Sequence, residues 1–295
     1  MEITNNHKLP KSFVDFARND KYSKGNADIS VTTLIDSPRV RLMRDHHAND
    51  RTVDAVDMIW PLFGTAVHHV LESTKPSDDV VLEERLFAEV NGWVLSGAVD
   101  HQAVDRTNIQ ITDYKVTSVW SVIYGKIEWE RQLNMYAYLV QKNKGKKVNS
   151  LQICAILRDW NKRESKYKPD YPSAPVVLVD IPIWDEETRI NYINERVGIH
   201  QEAQKMYDAE GEFPFCSDDE TWKRSDAWAV KKKGNKRALR VFETEESANG
   251  FVGGYKALGN DGKILEIEYR AGEAVRCIGD YCGVSDFCSQ YRGEG

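Results

Sequence analysis

The chain has 295 residues, 41% of them hydrophobic and 29% charged, with a formal net charge of −6. That length supports a full core, as one large domain or a domain with an appendage. No apolar run is long enough to cross a membrane, and the start, MEITNNHKLPK, lacks the apolar stretch of a signal peptide, so a cytoplasmic protein is expected. The acidic balance argues against a protein that coats nucleic acid along its whole surface, while leaving room for a local basic patch.

Residues 1–29 are polar and are expected to be flexible. A short helix is predicted near Ser30–Thr33, where Ser and Thr precede Leu34. PLFGTAVHHVLEST (61–74) has helical spacing, with Leu62, Phe63, Ala66, Val67, Val70 and Leu71 on one side and Pro61 suited to its start. Three strand-like runs follow, 80–90, 93–104 and 108–118, separated by turn signals at Asn91-Gly92 and Asp105–Asn108. A helix is read at 128–142, a buried strand at 151–160, a Lys-rich loop at 161–175, a strand at 176–184 and a long polar helix at 185–210. Composition shifts near Gly211. Beyond it, 227–233 and 236–244 predict a hairpin around Gly234-Asn235, then a helix at 245–258 and a strand at 263–270. The order predicts an α/β (α+β mixed) fold, a central mixed sheet flanked by helices, over 30–212, with a smaller cysteine-containing unit over 213–295.

ITDYKVTS (111–118) raises the first chemical question, because a buried strand has no use for an acid and a lysine unless they are paired or employed. Asp113 and Lys115, two apart, face one way and Tyr114 the other. GAVD (97–100) ends in Asp100, and a hairpin of 93–104 with 108–118 would set Asp100 beside Asp113. Two converging carboxylates repel unless a cation lies between them, and a hard cation such as Mg²⁺ or Mn²⁺ takes such oxygens. Lys115 would then steady a phosphate oxygen or place the attacking water. On the helix, Gly64, His68 and Glu72 recur every four residues, so His68 can supply a nitrogen and Glu72 can orient it, while His69 lies on a different face. Gln132 and Tyr136 are four apart in ERQLNMYAYL. Taken singly, the acid-x-Lys triplet reads as a solvated strand face, Gly97 as a bulge, His68 as a core or boundary histidine, and Gln132 and Tyr136 as boundary residues of a helix.

GxxxH, GxxD, DxK and QxxxY in this order, carried by Gly64 and His68, Gly97 and Asp100, Asp113 and Lys115, Gln132 and Tyr136, resemble the RecB-like branch of the PD-(D/E)xK nuclease superfamily over residues 30–210. The surrounding text is similar to phage-type exonucleases of that group. The resemblance implies a restriction-endonuclease-like core and a metal-dependent DNA exonuclease acting in phage or bacterial recombination or DNA processing. It implies that His68, Asp100, Asp113 and the carbonyl of Tyr114 bind Mg²⁺ or Mn²⁺, that Lys115 is the catalytic lysine, and that Gln132 and Tyr136 support the site or touch DNA. Glu83 and Glu84 lie where some members carry a further acid. DNA is the implied partner, with a single-strand annealing protein or a helicase as a further one. Two other functions stay open: a non-catalytic DNA-binding protein on a degenerate nuclease fold, and a structure-specific endonuclease.

Five cysteines without paired spacing argue for metal ligands or core thiols over a disulfide framework. Cys277, Cys282 and Cys288 resemble the C-terminal cluster of iron–sulfur members of the same branch, such as helicase-associated nuclease subunits and CRISPR adaptation nucleases, which implies a [4Fe–4S] cluster. Those relatives take a fourth cysteine from before an N-terminal Pro; in LIDSPRV this chain has Ser37 there, and Cys216 in FPFCSDDE is the replacement. Four thiolates also suit Zn²⁺, and reduced thiols without metal are the third alternative. Cys154, in an apolar strand, reads as a core thiol. Lys223, Arg224, Lys231, Lys232, Lys233, Lys236, Arg237 and Arg240 form a basic stretch beside Trp222 and Trp228, which reads either as a DNA-facing patch or as a solvated hairpin protecting an edge strand. KRESKYK (162–168) is a second basic stretch.

Overall fold

The computed structural model describes residues 1–19, 24–74, 77–257 and 264–293. The chain divides into two compact units, Met1–Phe213 and Pro214–Gly295.

In the first unit the elements run β1 (Glu2–Thr4), α1 (Lys11–Arg18), β2 (Ile29–Ser30), α2 (Val31–Ile35), α3 (Pro38–His46), β3 (Thr52–Asp54), α4 (Ile59–Glu72), β4 (Val80–Val90), β5 (Trp93–Val104), β6 (Asn108–Thr117), α5 (Val119–Tyr124), α6 (Ile127–Lys144), β7 (Lys147–Leu157), α7 (Glu164–Tyr167), β8 (Val176–Ile181) and α8 (Glu186–Glu210). Where composition predicts a flexible start, β1 instead pairs in parallel with β3, and α1 buries Val14 and Ala17 against Ala55. A few apolar side chains at helical spacing suffice to dock that polar segment, which corrects the expectation for the described part of 1–29.

The predicted mixed α/β sheet is present. Its order is β2-β5-β6-β7-β8, with β4 on the other edge of β5; β6 and β7 run parallel and the β4–β5–β6 meander is antiparallel. The β4–β5 hairpin turns at Asn91 (φ 51°) and Gly92 (φ 80°), the left-handed pair that a two-residue hairpin demands. α6 covers the sheet, its Leu133 and Leu139 packing with Leu95, Val99, Ile109, Ile111 and Ile153. Its ends follow the helix dipole, with Glu128 and Glu130 in the first turn, Lys142 and Lys144 in the last, and Gly145 left-handed beyond. α8 starts at an Asp185 cap on Thr188 N and ends at left-handed Gly211. Arg196 and His200 on α8 bond the carbonyls of Leu34 and Asp36, which satisfies the end of α2.

One detail of the topology positions the chemistry. Along the edge of β5 opposite β4, β2 pairs with Leu95 and Ser96, and β6 pairs with His101 to Val104. Residues 97–100 of that edge therefore face a gap between the two neighbours.

The second unit holds β9 (Ala227–Lys232), β10 (Arg240–Phe242), α9 (Glu245–Ala257), β11 (Leu265–Arg270), α10 (Val275–Ile278) and α11 (Ser289–Arg292). Its sheet order is β10-β9-β11, all antiparallel. The predicted hairpin forms, with Gly234 left-handed (φ 82°), although its second strand is three residues long. β9 is central, with a neighbour on each side, so its lysines do not protect an edge. The expected helix end at 258 and strand start at 263 lie outside the described residues.

Candidate metal centre and active site

The file of β6 that faces α6 reads Ile109, Ile111, Asp113, Lys115. The isoleucines are fully buried and Asp113 is 1% exposed, so the strand carries its acid from the core to the rim of the gap. Lys115 Nζ lies 2.6 Å from Asp113 Oδ2. Burial works to lower the Lys115 pKa, but the charges of Asp113 and Asp100 outweigh it and hold the ammonium above its ordinary range. Gln132 Nε2, from α6, donates to Asp113 Oδ1 at 3.1 Å and to the Tyr136 hydroxyl at 2.7 Å. Asp113 Oδ2, shut off from solvent, is held by the Lys115 ammonium.

The ladder of β5 with β6 ends at His101 and Thr112, and Asp100 and Asp113 come next on the two strands. There the Asp100 carboxylate replaces the backbone partner, with Tyr114 N donating to its Oδ2 at 2.8 Å. In an extended strand a residue's carbonyl points the same way as its N–H, so the Tyr114 carbonyl is directed toward the same gap. The Tyr114 ring goes the opposite way and meets the His68 ring edge-on at 6.1 Å.

His68 Nδ1 lies 3.0 Å from Glu83 Oε1 and 3.7 Å from Asp100 Oδ1. Among the described residues, His68, Glu83 and Asp100 are the one group of three or more His, Cys, Asp or Glu whose donor atoms all fall within 4.8 Å of one another. Glu83 stands opposite Asp100 in the β4–β5 register, where the pairing skips both, and it adopts a left-handed φ of 47°. A β-chain residue other than glycine holds that conformation at a cost of order 1–3 kcal/mol, a feature concentrated at functional sites. The hydrogen bond to Glu83, helped by Asp100, outweighs burial and raises the His68 pKa to about 9. Burial and the neighbouring Asp113 raise Asp100 to about 7.

Several sequence expectations change here. Glu72 does not orient His68; it pairs with His69 at 2.8 Å, while Glu83 does the orienting. Glu84 leaves the site for Lys144 and Gln102. Gly97 is no bulge: a Cβ there would stand 2.8 Å from both Leu139 Cδ1 and Tyr136 Cε1, so the glycine lets α6 lie down on β5. The choice of Glu83 over Glu84 had a signal in the sequence. A two-residue turn sets Val90 opposite Trp93, and counting back from it sets Glu83 opposite Asp100. Below α4, an apolar cavity of about 490 Å³ is lined by Phe63, Ala66, Val67, Val70, Leu71, Tyr114 and Cys154 among others. Leu62 is not among the lining residues. Burial raises the Cys154 thiol pKa, which leaves it a protonated apolar side chain.

In the second unit, the Cys277 thiol is pushed up by burial and by Cys282 and Cys288 nearby. The Gln290 side chain clamps Cys216, accepting from its N (2.8 Å) and donating to its O (2.9 Å), two residues past Cys288. None of the four is in a disulfide, and Cys282 and Cys288 are buried. In the basic stretch Lys231 pairs with Glu268, Lys223 pairs with Asp218 at 3.2 Å, and Arg240 stacks on Phe242 at 5.2 Å. Lys232, Lys233, Lys236 and Arg237 pair with no acid among the described residues, and Arg224 bonds the Glu273 carbonyl through its backbone N.

No family model matches the chain, and no curated protein matches it. Among solved structures it is similar to SSO0001, at 16% identity over 64% of this chain and 83% of that one, with a TM-score of 0.41. It is also similar to a protein from Eubacterium rectale named "Putative exonuclease", at 12% identity over 68% of this chain and 73% of that one, with a TM-score of 0.28. At such values neither likeness bears on chemistry, which rests on the side chains themselves.

Proposed function

We propose that the chain is a metal-dependent deoxyribonuclease of the PD-(D/E)xK type, a RecB-like exonuclease that hydrolyses phosphodiester bonds at DNA ends. The observation that carries this reading is the cluster of His68, Glu83 and Asp100 donor atoms at the gap in the sheet, with the Asp113–Lys115 pair beside it on β6. His68, Asp100, Asp113 and the Tyr114 carbonyl, joined by Glu83, would hold Mg²⁺ or Mn²⁺. A divalent cation bound there lowers the pKa of water and neutralises phosphate charge. The chain's own part is positioning. Tyr114 N fixes Asp100, Gln132 fixes Asp113, and Tyr136 fixes Gln132. Lys115 presents a compact positive charge at the rim, where it steadies a phosphate oxygen or orients the attacking water.

The test is cleavage of end-labelled linear DNA in Mg²⁺ or Mn²⁺, with an EDTA control and a closed circle in parallel. Lys115→Ala and Asp113→Ala should each abolish cleavage without loss of fold. Wild-type activity in either variant refutes the assignment, and equal attack on closed circles makes the enzyme an endonuclease.

For the second unit we propose that Cys216, Cys277, Cys282 and Cys288 hold a [4Fe–4S] cluster. The electrostatic contact of Cys277 with Cys282 and Cys288, and the clamp on Cys216, support this reading. Brown, iron-containing protein is the expected result, and a colourless sample with stoichiometric zinc would overturn it. The unpaired Lys232, Lys233, Lys236 and Arg237 would contact the DNA backbone.

A further inference from the structure

We infer that the first unit carries a second nucleic-acid site, a base-stacking platform for single-stranded DNA, built where the chain leaves β6 and β7. It deepens the nuclease reading by naming the form of the substrate. The two strands are parallel, and Thr117 stands opposite Leu157, so the segments that follow them emerge side by side. They are tied together: Arg158 N donates to Thr117 O at 3.0 Å, and Val119 N donates to Asp159 Oδ1 at 2.8 Å. The C-terminal ends of strands in an open α/β sheet are where such folds bind ligands. Val119 is four residues past Lys115, a chain distance of at most about 14 Å.

That edge presents aromatic faces to solvent. Trp120 and Tyr124, four apart on α5, are 53% and 79% exposed, and their rings stack with centroids 5.8 Å apart and planes within 14°. Trp60, at the start of the helix that carries His68, is 49% exposed, and the Arg158 guanidinium lies over its ring at 4.1 Å. The loop beyond β7 adds Lys162, Arg163 and Lys166, which pair with no acid among the described residues, and Tyr167, which is 76% exposed. That loop is built and not loose: Trp160 Nε1 donates to Pro172 O at 2.8 Å, and Asn161 N donates to the Tyr171 hydroxyl at 2.9 Å. Flat rings interleaved with unpaired cations suit a polymer of flat bases on an anionic backbone. In a duplex the bases are already stacked on one another, so the occupant is a strand with unpaired bases, as at a resected or frayed end. The exposed rings call for flat faces and the unpaired Lys162, Arg163 and Lys166 for an anionic backbone, and a single strand of DNA supplies both together.

The test separates the platform from the reaction. Full-length protein carrying Lys115→Ala is titrated in EDTA with dye-labelled oligothymidylate, with an abasic oligonucleotide of equal length, and with a blunt hairpin duplex. Fluorescence anisotropy is the readout. Oligothymidylate should bind roughly tenfold or more tighter than the abasic strand, the size expected of base–aromatic stacking. Trp120→Ala/Tyr124→Ala should erase that preference, and Arg158→Ala should weaken both single strands. Trp120→Leu/Tyr124→Leu, which keeps apolar bulk without a π face, should behave as the alanine pair does, and thermal melting shows that each variant is folded. Equal affinity for thymidylate and abasic strands, or unchanged binding by the double variants, overturns the platform. So does a double variant that alters sedimentation but not oligonucleotide binding, which would make the face a self-association surface. If the platform binds as stated while Lys115→Ala cleaves normally in Mg²⁺, the catalytic assignment fails and the platform stands. The opposite pair of results removes the platform alone.

Discussion

Replacing Gly97 with alanine puts one methyl group where the structure has no room for it. The new Cβ would lie 2.8 Å from Tyr136 Cε1 and from Leu139 Cδ1, against the 3.4 Å at which ordinary contact begins, so α6 or the Tyr136 ring must retreat by about 0.6 Å. Tyr136 is 5% exposed and Leu139 is fully buried, so neither can swing into solvent. Overpacking of this kind costs about 1–3 kcal/mol. For a unit of this size that lowers the melting temperature by about 2–4 °C per kcal/mol. The displacement also travels: Tyr136 holds Gln132, and Gln132 holds Asp113. A shift approaching 1 Å at a reacting group costs up to about a hundredfold in rate. The assay is paired, with thermal melting for stability and single-turnover cleavage of linear DNA for chemistry. Gly97→Ala should lose both, and adding Leu139→Ala, which removes one of the two clashes, should recover part of the rate even though it opens a cavity. A Gly97→Ala protein that melts and cleaves as wild type refutes the chain of contacts from β5 through α6 to Asp113.

Glu83→Gln should weaken Mn²⁺ binding by about ten- to a hundredfold, the usual effect of removing a ligand or its orienting partner, measured by metal-dependent melting. Glu84→Gln, one residue along and paired with Lys144 and Gln102, should leave binding and cleavage unchanged; equal effects of the two substitutions would refute the placement. His200 gives a prediction for acid stability. It is fully buried and its pKa is lowered to about 3, first by burial and then by Arg196 and Arg41. A depressed base binds more protons unfolded than folded below its ordinary pKa of 6.5, so stability is complete above that pH and falls as pH drops toward 3. At about 1.4 kcal/mol per pH unit, this group alone removes about 2 kcal/mol between pH 6.5 and about pH 5. The wild-type minus His200→Gln difference in urea-unfolding stability should fall by that amount from pH 6.5 to about pH 5, because the opposite slope of Asp100, raised to about 7, cancels in the difference; a difference that does not change with pH would refute the assignment to His200.

Much was legible along the chain because it depends on short-range periodicity. The meander 80–90, 93–104 and 108–117 follows from alternation and from the Asn91-Gly92 turn, whose left-handed pair leaves one register available. Apolar spacing with acid at the front and lysine at the back marks α6. The same two-residue period is enough to place Asp113 and Lys115 on one face and Tyr114 on the other.

What the chain could not state was decided by contacts between elements. Strand parity says nothing of a gap that opens because β2 and β6 pair with different halves of one edge of β5. Without that gap the Asp100 carboxylate could not stand where the ladder would continue and accept from Tyr114 N. Helical spacing offered Glu72 to His68, but Glu83 reaches it because a left-handed turn at that residue aims its carboxylate across the strand. Gly97 gained its meaning only from the rings of α6. The polar first residues became ordered through β3, fifty residues away along the chain. Local pattern fixes which face a side chain is on; which partner waits at that face is set by how distant segments close over it, and that depends on packing no single window of sequence contains.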